Sequence, residues 1–315
     1  CEQYNFEITD IRAFSDYTGA AQRSIVSNSD DYDMLAFTLT TMGSFSTAGY
    51  VVDLKTVPYI DLEKPWYDQS VNRSMSIAGR LYATTGELMI MDNDATWALL
   101  FNKKLAEELQ VGSLYDAVKN GIWTIDMLYE CVKKAPRDLD GNGTMDEADQ
   151  WGILGEGFNT FALCAGAGGR VVSKDENDLP YISINTPEFI SAFEKAILIN
   201  ARYGDVCFYV SNYQGKYSNV WTECMDVMFS SGKVLFNLAG MNRVTLFRSM
   251  DTDFGIIPIP KGSETQKDYH CAVSCYNASC IMIPKTSANL ERTGIIIEAL
   301  SAESMYLLTP AYYEI

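Results

Sequence analysis

Apolar runs alternate with capped helical segments along the chain, and this alternation most constrains its fold. The segment "NFEITDIRAF" (5–14) alternates apolar and polar residues, as a strand with one buried face does. The run "YDMLAFTL" (32–39) is continuous and apolar, which is typical of a strand buried on both faces. The small, polar stretch "TTMGSFSTAGY" follows and is predicted to be a loop at the carboxyl end of that strand. Strands alternating with helices predict an α/β fold, in which such loops line ligand crevices.

Helix signals are clearest in the middle of the chain. Thr124 has the position of an N-cap before one helix, and Thr186 precedes another whose first residue is Pro187. The sequence "WGIL" (151–154) is predicted to be a short strand. The sequence "DFGIIPIPK" (253–261) contains two prolines, which predict an edge strand or an interdomain crossing.

Length and charge narrow the class of protein. The chain has 315 residues with 47% hydrophobic content, which is enough for about two domains. No apolar run is long enough to cross a bilayer, and no signal peptide or basic targeting stretch is visible at the start. The formal net charge of −17 disfavours nucleic acid and anionic lipid as partners, but it does not disfavour neutral ligands.

The stretch "DLDGNGTMDEAD" (138–149) has the spacing of a calcium-binding loop. EF-hand loops place oxygen ligands at positions 1, 3, 5, 7, 9 and 12 and a glycine at position 6, where Gly143 falls here. Carboxylates this close together repel one another unless a cation binds. The predicted Ca²⁺ ligands are Asp138, Asp140, Asn142, the backbone carbonyl of Thr144, Asp146 and Asp149.

Two departures separate this loop from a paired EF-hand. Position 12 is Asp149 rather than the longer glutamate, and a strand, not a helix, is predicted after it. The alternative interpretation is a solvated acidic turn. If calcium binds, the expected role is structural, joining a helix to a strand; a calcium sensor is the second possibility.

Signals for catalysis and for other metal sites are weak. Eight cysteines are present, and "HCAVSCYNASC" (270–280) matches no zinc spacing, so buried free cysteines are expected. Strand alternation would place Cys271 and Cys275 on one face and Cys280 on the other. His270 is the only histidine, and neither a nucleophile elbow nor a P-loop occurs. We therefore expect a protein that is not an enzyme.

The order of several motifs resembles extracellular solute-binding protein family 1, the maltose-binding-like receptors of ABC importers in Gram-positive bacteria. The similar pieces are "YDMLAF", "AGYVVDL", "DLEKPWYDQS", "GRLYATTGEL", "LLFNKKLAEEL", "LYDAVKNGIWTIDML", "DLDGNGTMDEADQWGI", "FSSGKVLFNLAGMNRV", "FGIIPIPK" and "GIIIEALSAES". The resemblance covers nearly the whole chain. It implies a two-lobe α/β fold of the type II periplasmic-binding-protein class, with both ends cut.

The resemblance also implies an organisation and a role. Lobe 1 is expected to comprise 1–100 and 253–300, and lobe 2 to comprise 101–252 and 301–315, with hinge closure around a ligand. The expected protein is a monomeric cell-surface lipoprotein that captures a small solute, with a carbohydrate favoured, and delivers it to the membrane subunits of an ABC permease. The alternatives left open are a receptor for a peptide or polyamine and a carbohydrate-active enzyme, which would need two carboxylates about 5–10 Å apart.

The resemblance places candidate ligand contacts in four segments. "TMGSF" and "MDNDATW" are the first-lobe candidates, and "GEGFNTF" and the loop after "FNLAG" are the second-lobe candidates. For the aromatic residue of "GEGFNTF", core packing is an equal alternative. The predicted ligand-binding residues are Ser44, Phe45, Asp92, Asn93, Asp94, Glu156, Phe158, Asn159, Met241 and Arg243.

Overall fold

The structure is a computed structural model that describes residues 5–12 and 15–313. The chain divides into two compact units. Unit 1 comprises Cys1–Ile90 and Cys275–Ile315, and unit 2 comprises Met91–Ser274. Residues 5–12 form no strand, so the strand predicted there is wrong over these residues; Ala13 and Phe14 lie outside the described residues.

The described residues form short strands and helices in mixed order. The strands are β1 (Leu35–Thr38), β2 (Trp97–Asn102), β3 (Trp151–Gly155), β4 (Val172–Lys174), β5 (Pro180–Ile182), β6 (Cys207–Tyr209), β7 (Val234–Gly240), β8 (Phe254–Ile257) and β9 (Ser279–Met282). The α-helices are α1 (Tyr17–Val26), α2 (Leu39–Thr47), α3 (Gln69–Met75), α4 (Met91–Asp94), α5 (Lys103–Glu108), α6 (Leu114–Lys119), α7 (Ile125–Val132), α8 (Gly157–Gly166), α9 (Pro187–Ile199), α10 (Asp226–Ser230), α11 (Arg243–Phe247), α12 (Leu290–Glu303) and α13 (Thr309–Tyr313). Short 3-10 helices lie at Leu54–Thr56, Glu87–Met89 and Val210–Tyr213, and π-helices at Trp221–Met225 and Ser304–Leu308.

Unit 1 contains a two-stranded antiparallel sheet of β1 and β9. Leu35 and Phe37 of β1 point into the core, while Ala36 between them is exposed. The predicted strand at 32–39 is therefore shorter than expected and is buried on one face only. Residues 7–12, which form neither helix nor strand, border a groove of about 1000 Å³ together with β1 and α12.

The segment predicted to be a loop after β1 is helix α2, and this prediction was wrong. Phe45 is fully buried, and its ring centroid lies 5.4 Å from that of Phe37 and 5.6 Å from that of Tyr50. The Ser44 hydroxyl donates to the carbonyl of Thr41 at 2.9 Å, so this small polar side chain is satisfied within the helix. Phe45 is a core residue of unit 1 rather than a ligand contact, because the apolar packing of its ring leaves none of it accessible.

Unit 2 contains a five-stranded sheet with the order β6-β3-β7-β2-β8. Strand β3 is parallel to β6 and β7, whereas β2 is antiparallel to β7 and β8. Apolar clusters cover both faces, with Trp123 and Phe236 in one and Phe208 and Phe229 in the other. We call the end of this sheet where β3, β6 and β7 finish the carboxyl edge, and the opposite end the amino edge.

The unit boundaries differ from the predicted lobe boundaries at three places, the first of which is residues 91–100, which belong to unit 2. Residues 253–274 belong to unit 2, because β8 pairs with β2 as an edge strand of the sheet; the predicted edge strand is confirmed. Residues 301–315 belong to unit 1, where α12 is anchored by a hydrogen bond from the Tyr67 hydroxyl to Glu298 at 2.8 Å. No helix formed by the described residues combines the length and apolar character that crossing a membrane requires.

Two helix caps in unit 2 were predicted from the sequence. Thr124 accepts a hydrogen bond from the Met127 amide at 3.3 Å, and Thr186 accepts one from the Phe189 amide at 3.3 Å, so both predicted caps are confirmed.

All cysteines among the described residues are free, and Cys1 lies outside them; five are buried, but the expectation of buried cysteines was wrong for Cys271 and Cys275. The predicted alternation of Cys271 and Cys275 against Cys280 was wrong, because strand β9 begins only at Ser279 and both earlier thiols are exposed.

Candidate functional site

The carboxyl edge of the unit 2 sheet gathers segments that are far apart in the sequence. Strands β3, β6 and β7 end at Gly155, Tyr209 and Gly240. Because β2 runs antiparallel, its first residue Trp97 lies opposite Gly240, which brings the preceding helix α4 to the same edge. In open α/β sheets this edge is where ligands bind. The predicted residues along it are Asp92, Asn93, Asp94, Glu156, Phe158, Asn159, Met241 and Arg243.

Backbone hydrogen bonds join two of these segments directly. The Met241 amide donates to the Thr96 carbonyl at 3.0 Å, and the Asn242 amide donates to the Asp94 carbonyl at 3.0 Å. Two segments separated by about 150 residues are thereby held side by side. Asp92 is buried while Asn93 is exposed, so the side chain of Asn93 is more accessible than that of Asp92.

Glu156 holds an exposed tryptophan at this edge. The indole nitrogen of Trp221 donates to Glu156 Oε2 at 3.0 Å, and the Trp221 side chain is 40% exposed. Trp221 begins a π-helix, a distortion that occurs frequently at functional sites. Glu156 is itself fixed by Asn200, whose amide donates to the Glu156 carbonyl at 2.6 Å. The result is an aromatic face of defined orientation on an accessible surface.

The two residues after Glu156 differ in accessibility. Phe158 is 51% exposed, which does not fit the alternative that it is a core residue. Asn159 is 2% exposed and its amide donates to the Leu154 carbonyl at 3.4 Å, so it serves the end of β3 and not the surface. The prediction of Asn159 as a ligand contact is corrected on this ground. The Tyr209 hydroxyl lies beside Gly157 and adds a further polar group to the edge.

Arg243 does not present a free positive charge. Its Nη1 lies 2.9 Å from Oδ2 of Asp226, which is buried. Burial raises the pKa of Asp226, and the Arg243 guanidinium acts in the opposite direction. Because Asp226 partly compensates the guanidinium, this edge is better suited to a neutral ligand than to an anion.

The acidic loop lies at the other edge of the same sheet. A β-bridge between Arg137 and Gln150 closes the loop, and Trp151 then begins β3. Glu156 follows the end of this five-residue strand, and at about 3.3 Å per residue the strand spans about 16 Å. The loop and the Glu156 surface are close in sequence. They nevertheless lie at opposite ends of one strand.

Three of the predicted metal ligands converge in this loop. One carboxylate oxygen from each of Asp138, Asp140 and Asp149 lies within 4.8 Å of the other two. Asp149 is fully buried, and its two oxygens accept hydrogen bonds from the amides of Leu139 and Asp146, each at 2.8 Å. Gly143 has φ +78°, as the sharp turn at position 6 requires. These carboxylates fit a hard cation that prefers oxygen ligands.

The remaining predicted ligands make local contacts. The Asn142 side chain accepts a hydrogen bond from the Thr144 amide at 2.7 Å, and Asp146 Oδ1 accepts one from the Ala148 amide at 2.7 Å. The amide of Gly143, 2.8 Å from Asp138, helps to lower the pKa of that carboxyl, and burial acts in the opposite direction. The hydrogen bonds to Asp138 thus favour the charged form of that carboxyl.

A family model for bacterial extracellular solute-binding proteins matches residues 2–307, nearly the whole chain. The chain belongs to this family. The description of the family also agrees with an extracellular protein.

Solved structures of similar fold agree with this membership. The sugar-binding protein MalE from Xanthomonas citri has a TM-score of 0.62 at 16% identity, covering 98% of this chain and 72% of its own. An ABC substrate-binding protein from Listeria monocytogenes in complex with cycloalternan has a TM-score of 0.58 at 18% identity, covering 94% and 68%. UgpB from Mycobacterium tuberculosis in complex with glycerophosphocholine has a TM-score of 0.59 at 15% identity, covering 95% and 68%. At these identities the likeness shows the type II fold. A search of curated proteins found no match to the sequence.

Sequence reasoning missed two residues of this solute-binding protein. Trp221 and Tyr209 were not assigned to the site, because Trp221 is 65 residues from Glu156 and neither residue lies in a motif. The pairing of Trp221 with Glu156 is visible only once the strand order is known.

Proposed function

We propose that this protein is the substrate-binding subunit of an ABC importer and that it binds a carbohydrate at the carboxyl edge of unit 2. The observation that carries the proposal is the exposed indole of Trp221, oriented by Glu156. Similar solved structures are described with cycloalternan or with acarbose, which supports a sugar ligand. No chemical step is proposed, in keeping with the binding function of the family.

The physical basis is the amphipathic surface of a sugar. An apolar ring face of Trp221 can stack on a pyranose, while polar groups nearby bond its hydroxyls. The second carboxylate oxygen of Glu156, the Asn93 amide and the Tyr209 hydroxyl are polar groups on segments of the same edge. The ion pair between Arg243 and Asp226 removes much of the local attraction for anions.

Calorimetry with maltotriose as the probe tests this proposal. We expect Trp221→Ala to weaken binding about tenfold, equivalent to ~1.4 kcal/mol, because the stacking surface is lost. The matched control is Tyr203→Ala, which removes an aromatic ring that is 84% exposed elsewhere in unit 2. An equal loss in both variants, or none in Trp221→Ala, would contradict the assignment of the site.

The same experiment separates the alternatives. Glycerophosphocholine, spermidine and a short peptide are titrated in parallel, since one similar structure contains glycerophosphocholine. Binding of one of these with no response to any sugar would identify a non-sugar receptor. Hydrolysis of maltotriose, followed by proton NMR, would instead indicate a carbohydrate-active enzyme.

We also propose that the acidic loop binds Ca²⁺ in a structural role. The donor set supports this: Asp138, Asp140 and Asp149 converge, and Ca²⁺ prefers about six to eight oxygen ligands. The loop joins α7 to β3, so the ion would fasten a helix to the first residue of a core strand. The loop lies at the amino edge, away from Glu156, which favours a structural over a sensing role.

Thermal melting in CaCl₂ and in EDTA tests the calcium proposal. We expect EDTA to lower the melting temperature of the wild type, and Asp140→Ala to abolish this difference while leaving maltotriose affinity unchanged. Asp175→Ala is the matched control, because Asp175 lies in another turn and accepts amide hydrogen bonds from Asn177 and Leu179. No calcium-dependent shift in the wild type would contradict the site, and a large loss of affinity in Asp140→Ala would favour the sensor.

Four further features follow from the resemblance alone and stay predictions. They are lipoprotein anchoring at the cell surface, a monomeric state, hinge closure on ligand binding and delivery to permease subunits. Metabolic labelling with a fatty acid would test the first, and analytical ultracentrifugation of the purified protein would test the second.

A further inference from the structure

A segment of unit 2 connects the two edges of its sheet. Residues 216–225, here called the bridging segment, begin at the acidic loop. Lys216 forms an ion pair with Glu147 of that loop, and the Tyr217 hydroxyl lies 3.5 Å from the same carboxylate oxygen. Glu147 is itself held to the start of β7, because Lys233 donates to its backbone carbonyl at 3.0 Å. This end of the segment therefore rests on a fixed anchor at the amino edge.

The bridging segment then crosses to the carboxyl edge with its shape fixed internally. The Asn219 side chain accepts hydrogen bonds from the amides of Trp221 at 3.1 Å and Thr222 at 3.2 Å, the first two residues of the π-helix. The Ser218 amide donates to Glu223 at 3.0 Å. Val220 and Cys224 are buried in the apolar cluster on one face of the sheet. In the middle of the segment, the Trp221 indole reaches Glu156 at the carboxyl edge.

We propose that Glu147 is a positioning residue for Trp221, acting through Lys216 and Tyr217. The inference rests on the proposed function, since it concerns the tryptophan that is assigned to the ligand. Glu147 touches no part of that surface. It fixes the start of the bridging segment, and the internal hydrogen bonds carry this constraint over the few residues to Trp221.

The burial and contacts of Glu147 indicate a stronger constraint than an ordinary surface ion pair provides. Exposed pairs contribute about 0–1 kcal/mol because both side chains stay solvated and mobile. Here the Glu147 side chain is only 23% exposed, one oxygen contacts both Lys216 and Tyr217, and the other is buried. Removal of this carboxylate leaves two neighbouring residues without their common acceptor, so the bridging segment gains freedom at its first turn.

Acrylamide quenching of tryptophan fluorescence, without any ligand, tests the proposal. The contribution of Trp221 is the difference between each protein and its Trp221→Phe counterpart. We expect Glu147→Ala to raise the quenching constant of Trp221, by at most about 2.5-fold, since its exposure can rise from 40% only to full exposure. Glu147→Gln keeps an acceptor oxygen and should restore most of the wild-type value.

Control variants make the outcome decisive. Glu130→Ala removes an ordinary exposed ion pair in unit 2, between Glu130 and Lys133 at 2.7 Å, and should leave Trp221 quenching unchanged. Lys216→Met should reproduce part of the effect, and it replaces Glu147→Ala if that variant does not fold. The proposal is overturned if Trp221 quenching does not change, or if the same change remains after Trp221→Phe. A failure of sugar binding alone would affect only the proposed function, because no ligand is used here.

Discussion

The two edges of the unit 2 sheet present their functional residues in different ways. At the amino edge, the acidic loop draws its carboxylates from twelve consecutive residues, 138–149. At the carboxyl edge, the surface around Glu156 and Trp221 combines the segments 92–96, 155–159 and 240–243 with the single residues Tyr209 and Trp221. A short loop can form its site from local spacing alone, whereas the carboxyl edge exists only when the strands pair in the right order.

This difference explains why the most conspicuous motif lies apart from the proposed ligand surface. Strand β3 separates the loop from Glu156, with the loop before its first residue and Glu156 after its last. The proposed Ca²⁺ site at one end and the exposed ring of Trp221 at the other can therefore change independently, except where the bridging segment connects them.

The largest expected effect compares the two ends of β3 itself. A methyl group at Gly152, near the amino edge, would overlap the backbone of Val132 in α7, whereas one at Gly155 would overlap the side chains of Asn200 and Cys207. Backbone atoms can move less than side chains to relieve an overlap. Gly152→Ala should therefore lower the free energy of unfolding by about 3 kcal/mol, and Gly155→Ala should lower it by less. Urea unfolding measures both.

Gly43→Ala is the control for these substitutions. Gly43 lies in helix α2, and the position that a methyl group would take there is open space, so alanine should stabilise that helix by about 0.5–1 kcal/mol. If Gly155→Ala proves the more damaging of the two β3 variants, the carboxyl edge is the more rigid end, and the comparison must be reversed.

A smaller effect is expected midway between the edges. Asn237 lies on the central strand β7, opposite Leu100 and Leu154, fully buried and with neither side-chain atom in a hydrogen bond. Asn237→Leu should therefore raise the free energy of unfolding by about 2 kcal/mol, because an unpaired buried amide is costly. Asn200→Leu should destabilise, since it loses hydrogen bonds to Glu156 and Thr160. Destabilisation by Asn237→Leu, measured by urea, would show that this amide has a partner such as bound water.

Sequence reasoning succeeded where a few adjacent residues determine the structure. The caps Thr124 and Thr186 are specified by a side chain and an amide three residues later, and both were predicted. The turn at Gly143 is equally local. Helix α2 was mistaken for a loop because its small polar residues satisfy their hydroxyls on the helix itself, while Phe45 supplies the burial. Asn159 was misjudged because its burial depends on the end of β3 and not on its own sequence context.

The next effect concerns the helices that lead to each edge. Helix α7, capped by Thr124, leads to the acidic loop, and α9, capped by Thr186, leads to Asn200 and so to Glu156. Thr124→Ala and Thr186→Ala should each cost about 1 kcal/mol, because one helix N–H loses its acceptor. If the edges unfold together, both variants keep the wild-type urea slope. A changed slope in one variant only would mean that its edge opens separately.

The smallest effect is the pH dependence of two ion pairs at opposite edges. At the amino edge, the exposed pair with Lys103 lowers the pKa of Asp253; at the carboxyl edge, burial raises the pKa of Asp226 and outweighs Arg243. A carboxyl whose pKa is lowered in the folded state stabilises the fold at pH values above the unfolded pKa of about 3.9, and this stabilisation is lost as the pH falls. A carboxyl whose pKa is raised in the folded state destabilises the fold as the pH rises above about 3.9.

Substitution by asparagine removes each titration and separates the two signs. From about pH 3 to pH 6, the stability of wild type relative to Asp253→Asn should rise, whereas that relative to Asp226→Asn should fall. Urea unfolding across this range, with EDTA present to exclude metal effects, measures both differences. The same slope for both variants would mean that Arg243 compensates the burial of Asp226. The ion pair of Asp226 with Arg243 would then be as favourable as that of Asp253 with Lys103, and Arg243 would be less available to any ligand.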